Sequence, residues 1–222
     1  MVIHSLFPDL ATAGLAIGWA PLEDLQGTLD PDEWDDIVSA APSRQREFIA
    51  GRRLVKVLAD TLELSAQPLR RASDRSALWP ADRLGSLSHC TALCAAAVGR
   101  HDAVQSIGID IEKIGRIEPK RWPTLLSKNE RAYFDSLNPE RLAAETTVFF
   151  SAKEAFYKCQ YPLTQSWVGF QDVEVTRIDD CRLGIAPPNL PPQPCHGPSI
   201  HTARLDDTHV ATIMLMPIST LK

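Results

Sequence analysis

Residues 106–114 read SIGIDIEKI, an apolar run broken by Asp110 and Glu112 beside Gly108. A strand side chain points the same way as its second neighbour. Asp110 and Glu112 therefore share one face, and Ile109 and Ile111 the other. Two carboxylates that close repel each other unless something positive stands between them. Either water screens them at an exposed strand end, or they hold a cation.

A second signal lies downstream in FFSAKEAFYK, residues 149–158. On a helix Glu154 and Lys158 are four residues apart and lie on one face. The pair reads either as a surface salt bridge, worth about 0.3–0.5 kcal/mol, or as part of a buried site. Phe149, Phe150, Phe156 and Tyr157 surround it and favour burial, and buried charges need partners. If this helix packs against the acidic strand, Glu154 becomes a third carboxylate beside Asp110 and Glu112. Three such oxygen ligands, completed by water and phosphate, meet the needs of octahedral Mg²⁺. Lys158, one turn on, is then placed to neutralise a phosphate.

The third signal is GSLSHC at 85–90, where a hydroxyl and an imidazole, Ser88 and His89, stand next to each other. They read either as a phosphate contact or as ordinary strand residues, which point to opposite faces. No G-x-S-x-G pattern accompanies them, so a serine-hydrolase reading fails.

The 222 residues, 44% hydrophobic, suffice for one large or two small domains with a real core. No run of about 18 apolar residues offers a transmembrane helix. The N-terminal stretch lacks a basic segment and is broken by Pro8 and Asp9, so no signal peptide is expected. Five scattered cysteines make no disulfide framework and point to a reducing cytoplasm. Cys195, His196 and His201 are a weak metal motif in a proline-rich loop. The net charge of -5 argues against a nucleic-acid binder. Charge is uneven, however: residues 21–36 carry seven acids and no base, and residues 44–83 nine bases against five acids. A basic sector in an acidic protein suits a phosphate-rich small ligand or an acidic partner, or is simply a solvated face.

Local signals outline the elements. Asp30, Pro31 and Glu33 form a helix start that should run to Ala40–Pro42. Ser43 is expected to cap a longer helix with an apolar stripe of Phe48, Val55, Leu58 and Leu62. Gly51 within it marks either a close approach or simple tolerance. Residues 92–100 read as a buried strand, and 103–112 as the strand ending in the acidic pair. Ser127 and Glu130 make a capping box; Asn138-Pro139 opens a further helix expected to stop at Pro162. Hairpins are expected at Asp179-Asp180 and Asp206-Asp207, with a six-proline loop over 186–198 between them. FIAGRRLVK at 48–56 and FSAKEAFYK at 150–158 echo one another, which hints at two similar halves.

Taken together, GIDIE, FSAKEAFYK, SLSHC and REFIAGR resemble the 4'-phosphopantetheinyl transferases of the Sfp type. LWPADRLGSLSHC and FSAKE are similar in particular to the enterobactin-synthase component D branch. The resemblance implies an α+β fold of two similar halves about a pseudo-twofold, with the active site in the cleft between them. The halves would be residues 1–106, holding the basic, coenzyme A-binding sector, and 107–222, holding the acidic strand and the Lys-Glu helix. It implies transfer of phosphopantetheine from coenzyme A, with Mg²⁺, to an apo peptidyl, aryl or acyl carrier protein. A monomer is expected. By motif, Asp110, Glu112 and Glu154 match the metal ligands, and Glu154 and Lys158 the catalytic pair. Arg46, Arg52 after Gly51, Ser88, His89, Lys153 and Lys158 match coenzyme A contacts. Arg75 is matched more loosely: many members have Gly-Lys-Pro or Gly-Arg-Pro there, and this chain has Asp74-Arg75-Ser76-Ala77. A Mg²⁺-dependent phosphodiesterase and a non-catalytic coenzyme A-binding protein remain as alternatives.

Overall fold

The structure is a computed structural model that describes residues 2–186 and 200–218. The six-proline loop and the Cys195-His196 motif fall outside the described residues. The chain divides into two compact units. The first comprises Met1–Ile107 with the residues from Pro217 onward, and the second Gly108–Met216.

The first unit contains β1 (His4–Ser5), β2 (Leu15–Pro21), α1 (Pro31–Asp35), α2 (Pro42–Thr61), β3 (Arg70–Arg71), β4 (Ala77–Leu78), β5 (Leu84–His89) and β6 (Leu93–Gly99). Its main sheet runs β1-β2-β6-β5, antiparallel throughout. All of β6 is buried, and its alanines at 95–97 let α2 lie against the sheet. The expected stripe of α2 does enter this core: Phe48, Val55, Leu58 and Leu62 are buried, with Leu54 and Ala59 beside them.

The second unit begins within β7 (Ser106–Lys113) and continues with α3 (Trp122–Leu125), α4 (Lys128–Asp135), α5 (Pro139–Thr164), β8 (Glu174–Arg177), β9 (Arg182–Ala186), β10 (Ile200–Arg204) and β11 (His209–Met216). Its sheet order is β7-β11-β10-β9-β8. Helix α5 packs on β10 and β11, and Phe149, Ala152, Phe156 and Cys159 join Leu183, Ile200 and Met214 in one core. The architecture is α+β, and the halves are similar in kind: each sets one long helix, carrying one copy of the echoed motif, on a sheet.

Several boundaries differ from the sequence reading. Helix α1 stops at Asp35 and gives way to a turn, because Ile37 and Ala40 donate three residues back rather than four. Helix α2 starts at Pro42 after Ala41, without a side-chain cap, so Ser43 is already helical. Proline at the first helical position forfeits no bond, since that amide is unpaired in any helix. Helix α5 continues through Pro162 to Thr164 and ends with Gln165 in the left-handed region. A proline in the last turn removes one backbone bond without dismantling the turns before it. Strand β7 begins at Ser106 rather than 103, after a turn in which Ala103 N–H donates to Arg100.

Candidate active site

The site begins with a glycine. A Cβ on Gly108 would overlap the Ala155 carbonyl oxygen and lie 2.7 Å from the Cys159 nitrogen. Only hydrogen fits there, so the backbone of β7 rests directly on the backbone of α5. Alternation carries the same face to Asp110 and Glu112, which are 3% and 4% exposed. Ile109 and Ile111, on the other face, are fully buried.

Helix periodicity then brings Glu154 and Lys158 to the strand. Lys158 Nζ donates to Asp110 Oδ1 at 2.7 Å and to the Ile109 carbonyl at 3.2 Å. Arg116, in the turn after β7, closes the group from the other end. Its Nη1 donates to both oxygens of Glu112, each at 2.6 Å. Sequence reasoning missed Arg116, whose i+4 spacing from Glu112 carries no signal outside a helix.

The group is electrostatically tense. Burial, and then the nearby charge of Asp110, push the Glu112 carboxyl up to about 7, against the pull of Arg116 and Lys158. Burial also raises Glu154, opposed by Lys158 and reinforced by Asp110. Three carboxylates on two touching elements are a donor set suited to a hard dication. Yet among the described residues no three His, Cys, Asp or Glu side chains are drawn close enough together to hold a metal ion. In this conformation protein cations meet the acids instead, Lys158 at Asp110 and Arg116 at Glu112.

Lys153, expected at a ligand, has a different setting. Its side chain is 2% exposed, and Nζ donates to Glu130 Oε2 at 2.7 Å and to the carbonyls of Leu125 and Phe170 at 3.0 and 2.7 Å. Those three acceptors use all three ammonium protons. Glu130 also receives the Val175 and Ser127 amides, so the pair ties α5 to α3, α4 and β8. One step along a helix rotates a side chain by about 100°, which separates Lys153 from its neighbour Glu154. In this structure Lys153 thus serves as a tie between elements, and its three contacts are all with the protein.

In the first unit, Ser88 is buried on β5 and His89 is partly exposed. His89 Nε2 lies 2.7 Å from Arg44 Nη1 and 3.7 Å from Glu47 Oε2. Arginine can only donate, so in this contact Nε2 is the acceptor. Arg44 is thus the arginine hydrogen-bonded to His89. Arg46 is exposed on the same helix, two residues on and so on another side. Arg52 is buried: its guanidinium lies 3.7 Å above the Phe48 ring and Nε donates to the Leu69 carbonyl. Burial lowers its pKa to about 10, against the pull of Glu33 and Asp36. Arg75 is exposed in the turn joining β3 and β4, with φ at +73°. Gly51 needs no special explanation, because a Cβ there would meet Leu87 at an ordinary 3.4 Å.

Comparison with known proteins identifies the class. Residues 32–99 match the model of the 4'-phosphopantetheinyl transferase N-terminal domain, and residues 106–213 that of the 4'-phosphopantetheinyl transferase superfamily. The chain belongs to that superfamily and is a 4'-phosphopantetheinyl transferase. It is 34% identical to the 4'-phosphopantetheinyl transferase PptT of Mycobacterium tuberculosis, over 78% of this chain and 73% of that protein. It is 30% identical to the transferase Svp of Streptomyces mobaraensis, over 92% and 81%. Enterobactin synthase component D of Salmonella typhimurium is 34% identical over 68% of this chain and 62% of that protein. Among the described residues no helix is long and apolar enough to cross a membrane.

Proposed function

We propose that this transferase moves the 4'-phosphopantetheine arm of coenzyme A onto a serine of an apo carrier protein in a Mg²⁺-dependent reaction. The observation that carries the reading is the acidic face of β7 held against Glu154 and Lys158 of α5. The serine oxygen forms a bond to the β-phosphorus. The bond from that phosphorus to the oxygen bridging the two phosphates breaks, and adenosine 3',5'-bisphosphate leaves. Glu154 takes the serine proton, directly or through a water; burial raises its pKa, which brings a carboxylate closer to the range useful for a base at neutral pH. Lys158 offsets charge on the departing phosphate. Mg²⁺, held by Asp110, Glu112 and Glu154, would supply further positive charge against the pyrophosphate.

Arg44 and His89 are the phosphate-binding pair for the nucleotide end, with Ser88, Arg46, Arg52 and Arg75 as the remaining candidates of that unit. The likeness to enterobactin synthase component D supports carriers of siderophore peptide synthesis, with other peptide or polyketide carriers as further candidates. The test is intact mass spectrometry of several apo carriers incubated with coenzyme A, Mg²⁺ and this protein. At least one carrier should gain the mass of one phosphopantetheine, and Glu154→Gln should abolish the gain. No gain on any carrier, with coenzyme A still bound, would favour a binding protein over a transferase.

A further inference from the structure

Arg116 has no part in the chemistry above, yet it is tightly joined to the acidic group. One nitrogen, Nη1, stands 2.6 Å from both oxygens of Glu112. A guanidinium usually meets a carboxylate as a fork, two nitrogens to two oxygens. Here a single positive centre sits between the two oxygens, which is the position of a chelated cation.

The two partners differ in freedom. The Glu112 side chain is 6% exposed and that of Arg116 55%. Arg116 hangs from an exposed turn in which its own N–H donates to the Lys113 carbonyl. Gly115, just before it, has φ +83° and nothing within 4 Å of where a Cβ would stand. The acid is thus fixed in the protein, while the cation reaches it from a turn open to solvent. Lys158 is the contrasting case: it is 27% exposed, belongs to a long helix and also bonds the Ile109 carbonyl.

We propose that Arg116 is a displaceable counter-ion, which occupies Glu112 while the protein is metal-free and yields that place to a divalent cation. The inference rests on the reading of Asp110, Glu112 and Glu154 as metal ligands. Its geometric support is the single Arg116 nitrogen placed against both oxygens of the buried Glu112. Arg116 then weakens the affinity of the acids for the metal, because the incoming ion must break its contact with Glu112 and meets its repulsion. Without Arg116, Glu112 would lose the cation that now stands at its two oxygens. Glu112 would gain a vacancy for the metal and lose its partner in the metal-free state.

The test is calorimetric titration of Mg²⁺ and Mn²⁺, without substrate, into wild type, Arg116→Ala and Arg116→Lys, with thermal unfolding in EDTA and in saturating Mg²⁺. Arg116→Ala should bind either ion about tenfold more tightly. It should melt below wild type in EDTA and together with it in Mg²⁺. Arg116→Lys, which keeps the charge, should fall between, and it carries the test if the alanine variant does not fold. Affinity equal to or weaker than wild type in both variants overturns the exchange and leaves the metal ligands standing. Absence of Mg²⁺ and Mn²⁺ binding in every protein, wild type included, overturns the ligand assignment and the exchange with it.

Discussion

Glu112 shows how a buried carboxylate can weaken the fold that holds it. Its folded-state pKa is about 7, against 4.5 for an ordinary glutamate, with burial the largest cause and Asp110 the next. Between those values the folded protein holds a proton that the unfolded chain has released. Stability linked to Glu112 is therefore greatest below about pH 4.5 and falls as pH rises toward 7. Glu112→Gln removes that dependence, and Arg116, half in water, is easily resolvated. In EDTA the variant should melt a few degrees above wild type at pH 8, where 1 kcal/mol is worth about 2–4 °C for a chain of this size. The gap should close near pH 4.5. A variant that melts below wild type at pH 8, or by the same margin at both pH values, would show that the carboxylate is not held against its own charge. Asp110, Glu112, Glu154 and Lys158 were legible in the sequence because strand alternation and helix i+4 spacing each fix a face. Arg44 and Arg116 were not, because each reaches its partner through a contact outside those two periods. The Lys153–Glu130 tie was not legible either, because a motif records that a lysine stands at a position, not which way its side chain turns.

The contact between β7 and α5 decides whether those faces meet. Gly108→Ala would drive a methyl into the Ala155 carbonyl, where the backbone cannot swing aside as a side chain can. We expect a loss of about 2 kcal/mol or more in denaturant unfolding, at the upper end of overpacking costs. Gly51→Ala is the control within a helix: its methyl meets Leu87 at ordinary distance, and alanine is favoured over glycine by up to about 1 kcal/mol. That variant should be neutral or more stable. Equal stability of the two variants would refute the backbone contact at Gly108. Among the elements, Asp30 and Ser127 were legible because a cap is a local bond between near neighbours, and both cap as expected; Asn138-Pro139 opens its helix as expected, with Asn138 as the cap. Strand β2 was not recognised: it lies between β1 and β6, so its run LAIGWAP lacks a clear polar face to alternate with. The small β3–β4 ribbon was missed for the opposite reason, since two residues on each strand are too few to show a period.

At the scale of the whole chain the acidic stretch 21–36 and the basic stretch 44–83 looked like separate faces, but part of each is used against the other. Asp36 accepts from Arg70 at 3.2 Å and from the Arg71 amide at 2.8 Å, Asp32 lies 3.7 Å from Arg70, and Glu33 supports the charge of the buried Arg52. Arg83 is likewise buried and donates to the Ser65 and Gln67 carbonyls. The positive charge left to act over distance rests chiefly on exposed residues such as Arg46, Lys56 and Arg75. A carrier protein acidic around its serine would be steered by these, and steering weakens as salt shortens the Debye length to about 10 Å at 0.1 M. The apparent KM for the carrier should therefore rise with ionic strength more than that for coenzyme A. Lys56→Gln, which touches no candidate coenzyme A contact, should make the carrier series less steep and leave the coenzyme A series as it is. Arg70→Gln should leave the carrier series sloped, because that charge is already engaged by Asp32 and Asp36. A carrier KM that is flat in wild type, or falls as salt is added, would rule out steering and place the weight of docking on apolar side chains such as the exposed Trp167 and Leu163.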